Sequence, residues 1–294
     1  MTSVTMLSTD RHVLAEGPAW DTATATVSWI DIEAGRVFVG RLDSDDRVEV
    51  IRTLDFESHV GCAFRLGNAQ FLVALERRLA LVDALGNVTT SRELLPEGRR
   101  FNDGVIDPAG RLIVGGLSMT GDHSGNVLLR LEHDGAVTTL DDDLGLSNGL
   151  GFSPDGATLY SIDSTANVVY ARSYDYESGD VGARREFARI EDATPDGLAV
   201  DAEGGLWVAL WGGGGIRHLD ALGHPHGDIE LDVPHVTSLA FVGSSLNRAL
   251  VTTASRDLSP AEVERHPGAG MLFLVDLPVA GQPAHRWRPV ALPQ

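Results

Sequence analysis

The chain has one cysteine in 294 residues, Cys62. That excludes an intramolecular disulfide and a zinc site built from several thiolates, and it agrees with a reducing compartment. Cys62 lies in the apolar run Gly61-Cys-Ala-Phe64, which points to packing rather than to a reactive thiol. Basic residues are also scarce: 23 Lys and Arg face 42 Asp and Glu, for a formal charge of −19. Phosphates are repelled by such a chain, so nucleic acid and anionic membranes are excluded as partners and a cation is favoured. No run approaches the roughly 20 apolar residues that cross a bilayer, and the segment 1–15 has no apolar stretch behind a basic start. The expectation is a soluble, cytoplasmic protein in which the sequon Asn87-Val-Thr89 is idle. Long amphipathic helical patterns are missing as well; residues 260–264 offer one helical turn at most.

What the chain has in quantity is glycine, 33 residues, and short β-prone runs. The clearest unit is the stretch 193–210. Gly197-Leu-Ala-Val200 is an apolar run, Asp201 to Gly205 is turn chemistry, and Leu206-Trp-Val-Ala-Leu210 is a second run, together a hairpin. Variants recur at Glu16-Gly-Pro-Ala-Trp20, Val60-Gly-Cys-Ala-Phe64, Asn102-Asp-Gly-Val-Ile106, Asn148-Gly-Leu-Gly-Phe152, Asp196-Gly-Leu-Ala-Val200 and Thr237-Ser-Leu-Ala-Phe241. Their first residues are 44, 42, 46, 48 and 41 positions apart. A period in the forties with several strands per unit is the signature of a propeller. The fold expected is all-β: a six-bladed β-propeller with four-stranded blades, one domain over residues 1–294. Residues 2–8 are expected to add an outer strand that closes the ring against the last blade and covers its edge.

In such a ring the six innermost strands crowd one axis, and their first residues face one mouth of the channel. Those residues are Glu16, Val60, Asn102, Asn148, Asp196 and Thr237. Two carboxylates and two amides converge there although the chain separates them widely. Oxygen donors without thiolate or imidazole make a hard site, suited to calcium, magnesium or manganese before copper, and open to zinc or ferrous iron. Other features read as scaffold. Gly212 to Gly215 lacks the Lys-Ser/Thr and the helix of a phosphate cradle. His224-Pro-His226 lies in a polar turn, Asp141-Asp-Asp143 in a solvated loop above the mouth, and Ser118 lacks the context of a nucleophile elbow.

The segments Ala15-Glu-Gly-Pro-Ala-Trp20, Trp29-Ile-Asp-Ile-Glu-Ala-Gly-Arg36, Arg100-Phe-Asn-Asp-Gly104, Asp107-Pro-Ala-Gly-Arg111, Ser147-Asn-Gly149 and Pro195-Asp-Gly197 resemble the gluconolactonase, regucalcin (senescence marker protein) and luciferin-regenerating family. The resemblance runs from about Ala15 to Ser255, and the combination of motifs is what makes it specific. It implies a six-bladed propeller with one catalytic divalent metal that hydrolyses sugar lactones or related esters. By the same resemblance Glu16, Asn148 and Asp196 are the metal ligands, and Arg100 and Asn102 lie beside the substrate. Members of that family acting on aldonolactones often have an acidic residue in the loop after the third repeat's second strand; here Leu117-Ser-Met-Thr-Gly121 places Met119 and Thr120 there and leaves a less charged pocket. The mechanism expected is polarisation of the lactone carbonyl by the metal, with Asp196 as general base. Two alternatives stand beside it: a non-catalytic propeller, as calcium-binding regulator or interaction platform, and a hydrolase of another ester or phosphoester.

Overall fold

The computed structural model describes residues 3–8, 10–43 and 47–294, with the side chain of residue 68 left aside. Six four-stranded antiparallel sheets are arranged as blades around one axis. Each blade runs outward from an inner strand: Ala15–Asp21, Val60–Arg65, Arg99–Ile106, Ser147–Phe152, Thr194–Val200 and Val236–Val242 in blades 1 to 6. Each inner strand touches the next, and the sixth returns to the first. Blade 6 is completed from the other end of the chain. Val4–Met6 pairs antiparallel with Phe273–Asp276, in the register Val4↔Val275, Thr5↔Leu274 and Met6↔Phe273. The expected closing strand is therefore present.

The blades adhere through apolar faces. Leu72, Leu112 and Leu129, for example, share one buried cluster between blades 2 and 3. The strands alternate as the sequence alternates, and truncating such a leucine to alanine costs about 2–5 kcal/mol. Tight turns rest on the left-handed glycines Gly110, Gly156 and Gly204, at φ +91°, +71° and +86°. In the last of these the Asp201 carboxylate accepts from the N–H groups of Glu203 and Gly205 at 2.9 and 2.8 Å.

Every inner strand carries a β-bulge just inside the mouth, where its register with the second strand slips: at 16/19, 60/62, 101/104, 148/150, 195/198 and 236/238. A bulge bends the strand and re-aims side chains, and here it turns the repeat's first residues toward the axis. In four of the six strands glycine follows the first residue, and at Gly61 and Gly149 neighbouring backbones approach closely. A Cβ on Gly61 would sit 2.6 Å from Phe101 O, and one on Gly149 2.6 Å from Asp196 O.

Three details differ from the sequence reading. The helix near residue 260 is longer than one turn, Pro260–Arg265, because Ser259 and Glu262 form a capping box at its start. Asp141 to Asp143 are in the outer strand Val137–Leu144 rather than in a loop; Asp141 pairs with Arg172 and Arg184, and Asp143 with Arg184. His226 is in the outer strand Pro225–Glu230, its ring edge-on to His218 at 5.3 Å. The chain then ends in a segment without strands that crosses the face opposite the mouth. Gly281 N–H donates to Leu246 O at 2.7 Å, Arg288 N–H to Gly110 O at 2.8 Å, and Pro293 O accepts from Arg92 N–H at 2.9 Å. Trp287 is buried in the cluster between blades 2 and 3.

Candidate active site

The mouth that gathers the first residues of the inner strands holds the polar groups singled out above. Glu16, Asn102, Asn148, Asp196 and Arg100 are all buried, none more than 7% exposed. An unbroken hydrogen-bond chain joins most of them. Arg100 Nη1 donates to Asn102 Oδ1 at 2.8 Å and to Phe101 O at 2.9 Å. Asn102 Nδ2 donates to Asn148 Oδ1 and to Ser147 O, both at 3.0 Å. Asn148 Nδ2 donates to Ser164 Oγ at 3.0 Å, and Ser164 Oγ donates to Pro195 O at 2.6 Å, beside Asp196. The chain fixes which way each amide points. Asn148 Oδ1 keeps a lone pair beyond the one that Asn102 uses, whereas both polar ends of Asn102 are committed to Arg100 and Asn148.

The carboxylates are held at odds with one another. Burial pushes Glu16 well above the usual carboxylate range, and the negative charges of Asp196 and Asp103 add to it. Asp196 is raised in the same way, by burial first and then by Asp103, against smaller opposing effects of Asn148 and Arg100. Burial also lowers the Arg100 guanidinium to about 10, helped by the charge of Arg256. It remains the cation nearest in effect to both acids and is outweighed for each. Two buried acids with so little compensation are what a divalent cation would relieve, and oxygen donors from two carboxylates and one amide fit such an ion. Among the described residues no three His, Cys, Asp or Glu side chains gather around one point, so the amide of Asn148 is needed to complete a protein ligand set.

Of the six converging positions, Val60 and Thr237 take no part. Both are fully buried, and the Thr237 hydroxyl is spent on Ala15 O at 2.6 Å and Thr252 Oγ1 at 2.8 Å. The structure adds Asp103, which the sequence reading passed over. The bulge between Phe101 and Gly104 turns Asn102 and Asp103 together toward the channel, where burial pushes the Asp103 carboxyl up to about 6. A signal was there: the second residue is glycine in four of the six repeats, and of the two exceptions, Asp103 and Ser238, Asp103 alone is charged. Ser164, which orients Asn148, carried no such signal. Around the rim, His59 stands between Glu33 and Glu76 at 3.4 and 3.2 Å, Arg256 pairs with Glu33 at 2.9 Å, and Trp211 stacks on His235 with centroids 4.0 Å apart. Cys62 is buried under the site, its thiol raised by burial and by Asp103.

Comparison with known proteins bears on this arrangement. A pentonolactonase of Haloferax volcanii is 35% identical over 284 residues, covering 93% of this chain and 94% of that one. A 6-deoxy-6-sulfogluconolactonase of Pseudomonas putida is 35% identical over 275 residues, covering 92% and 93%. The crystal structure of a calcium-binding protein, regucalcin, from Agrobacterium tumefaciens superimposes with a TM-score of 0.91 at 27% identity, covering 98% of each chain. The family pattern described as the SMP-30/Gluconolactonase/LRE-like region matches residues 14–255. That span takes in every converging residue of the mouth and all six inner strands, and the chain belongs to this family.

Proposed function

We propose that the chain, acting as one domain, is a divalent-metal-dependent hydrolase that opens a sugar lactone to its aldonic acid. The observation that carries the reading is the burial of Glu16 and Asp196 at one mouth, each raised by burial and Glu16 further by Asp196. Glu16, Asn148 and Asp196 are assigned as metal ligands; calcium comes first, and magnesium, manganese, zinc and ferrous iron also accept such donors. When bound, the ion supplies Lewis acidity toward the lactone carbonyl, an effect worth several kcal/mol of barrier. Asp196 takes the proton of the attacking water as general base. Arg100, whose two hydrogen bonds among the described residues both use Nη1, has Nη2 and Nε left to hold the oxygens of the substrate. Asn102 positions Arg100 and Asn148.

The names of the relatives support the substrate class, since pentonolactonase and 6-deoxy-6-sulfogluconolactonase both denote hydrolysis of sugar-derived lactones. The deciding experiment measures acid release from a panel of five- and six-membered aldonolactones. Metal-stripped protein is re-supplied with one ion at a time, alongside Asp196→Ala. Turnover that returns with one ion and is absent from the variant establishes the reading. Metal binding with no lactone opened above the spontaneous rate refutes it and leaves a calcium-binding regulator.

A further inference from the structure

The channel has a second ring of equivalent positions. Four residues beyond each first residue, toward the opposite face, stand Trp20, Phe64, Ile106, Phe152, Val200 and Phe241. They line a cavity of about 220 Å³ to which all six blades contribute, bordered on its outer side by the terminal segment at residues 282–285. The rings of Phe152 and His285 meet edge-on at 6.3 Å. Deep in the same cavity lies one carboxylate, Asp103. Its Oδ1 accepts from Gly104 N–H at 2.7 Å, and the other oxygen has no partner among the described residues. The indole N–H of Trp20 is buried and has no partner among the described residues.

A carboxylate among aromatic and aliphatic walls, with no basic side chain paired to it, is costly unless a cation joins it. Asp103 is not among the ligands assigned to the ion at the mouth, and no basic side chain reaches its oxygens among the described residues. Aromatic faces attract ammonium groups, and the volume falls below that of drug-sized pockets. We propose that the lower half of the channel is a binding site for a small organic ammonium ion, its apolar body against Trp20, Phe64, Phe152 and Phe241 and its N–H on Asp103. The site opens on the face opposite the catalytic mouth, so its occupant does not compete with a lactone.

Calorimetric titration of the metal-loaded protein with phenethylammonium chloride, and with 2-phenylethanol as neutral counterpart, tests the proposal. One saturable site is expected, with the ammonium bound at least about tenfold tighter than the alcohol, as a charge-assisted hydrogen bond warrants. Asp103→Asn should abolish that preference. Ala284→Trp, at an exposed position of the terminal segment that lines the cavity, should block binding while melting temperature and lactone turnover stay unchanged. This second variant keeps the test valid should Asp103→Asn fail to fold. Equal affinity for amine and alcohol, binding that survives Ala284→Trp, inhibition competitive with lactone, or no saturable heat would each overturn the site.

Discussion

Asn148 holds its orientation through the Ser164 hydroxyl. Ser164 Oγ accepts from Asn148 Nδ2 and donates to Pro195 O, so the carbonyl end of the amide is turned to Asn102 and the axis. Removing the acceptor leaves a buried N–H unmatched and frees the amide to rotate. Ser164→Ala should lower calcium affinity roughly tenfold, in the range typical of residues that orient metal ligands. Its effect on unfolding should be about 1 kcal/mol. Calorimetry with calcium and urea denaturation separate the two. Acidic residues at the mouth lead to a second prediction, for the metal-free protein. Their folded-state pKa values are raised, so in the fold they keep protons that the unfolded chain has released above about pH 4. Stability that is present below pH 4 is therefore lost as pH rises, through about 6 for Asp103 and through the raised ranges of Glu16 and Asp196. The melting temperature of metal-stripped protein should fall between pH 5 and 8, and saturating metal should flatten that slope. A flat profile without metal would show that the acids are not buried together.

At the scale of the strand, the site depends on six bulges and on the glycines that let them pass one another. Gly149 shows the dependence most directly, since a methyl group there meets the backbone carbonyl of Asp196 itself. Gly149→Ala should cost about 1–3 kcal/mol by overpacking and displace the Asp196 carboxylate along with its strand. Calcium affinity should drop with stability, whereas Gly67→Ala, at a position open to solvent, should change neither. Repeat spacing and turn chemistry made these strands legible in the sequence, along with the phase that brings Glu16, Asn102, Asn148 and Asp196 to one mouth. Phase alone could not tell which of the six residues stay available. Thr237 reads as a member of the ring until its hydroxyl is found on Ala15 O. Asp103 reads as a bystander until the bulge turns it inward. The terminal crossing was illegible, because it is held by isolated long-range backbone hydrogen bonds with no periodic pattern behind them.

For the molecule as a whole, all 23 basic residues are arginine; the chain has no lysine. Apart from the buried Arg100, arginine keeps its charge at any pH a folded protein meets, so the pH response falls to the acids and histidines. Its ion pairs also knit blades together. Arg172 and Arg184 of blade 4 pair with Asp141 of blade 3, and the Tyr174 hydroxyl donates to the buried Asp107 at 2.6 Å across the same seam. Blade 6 is closed by the three-residue strand Val4–Met6. Deleting residues 1–8 uncovers the edge of Phe273–Asp276 and should lower the melting temperature by roughly 5 °C, read by calorimetry, with a tendency to self-associate through the bared edge.

That closure also sets a clock on synthesis. Thr5 finds its partner only when Leu274 has been made, and at about 5–20 residues per second the wait is roughly 15–50 s. Through that interval the strand Val4–Met6 lacks the strand it pairs with, and the propeller ring is open between blades 1 and 6. Slow codons late in the message would lengthen the exposure, and a nascent-chain chaperone bound near the first ten residues would be the natural guard against it.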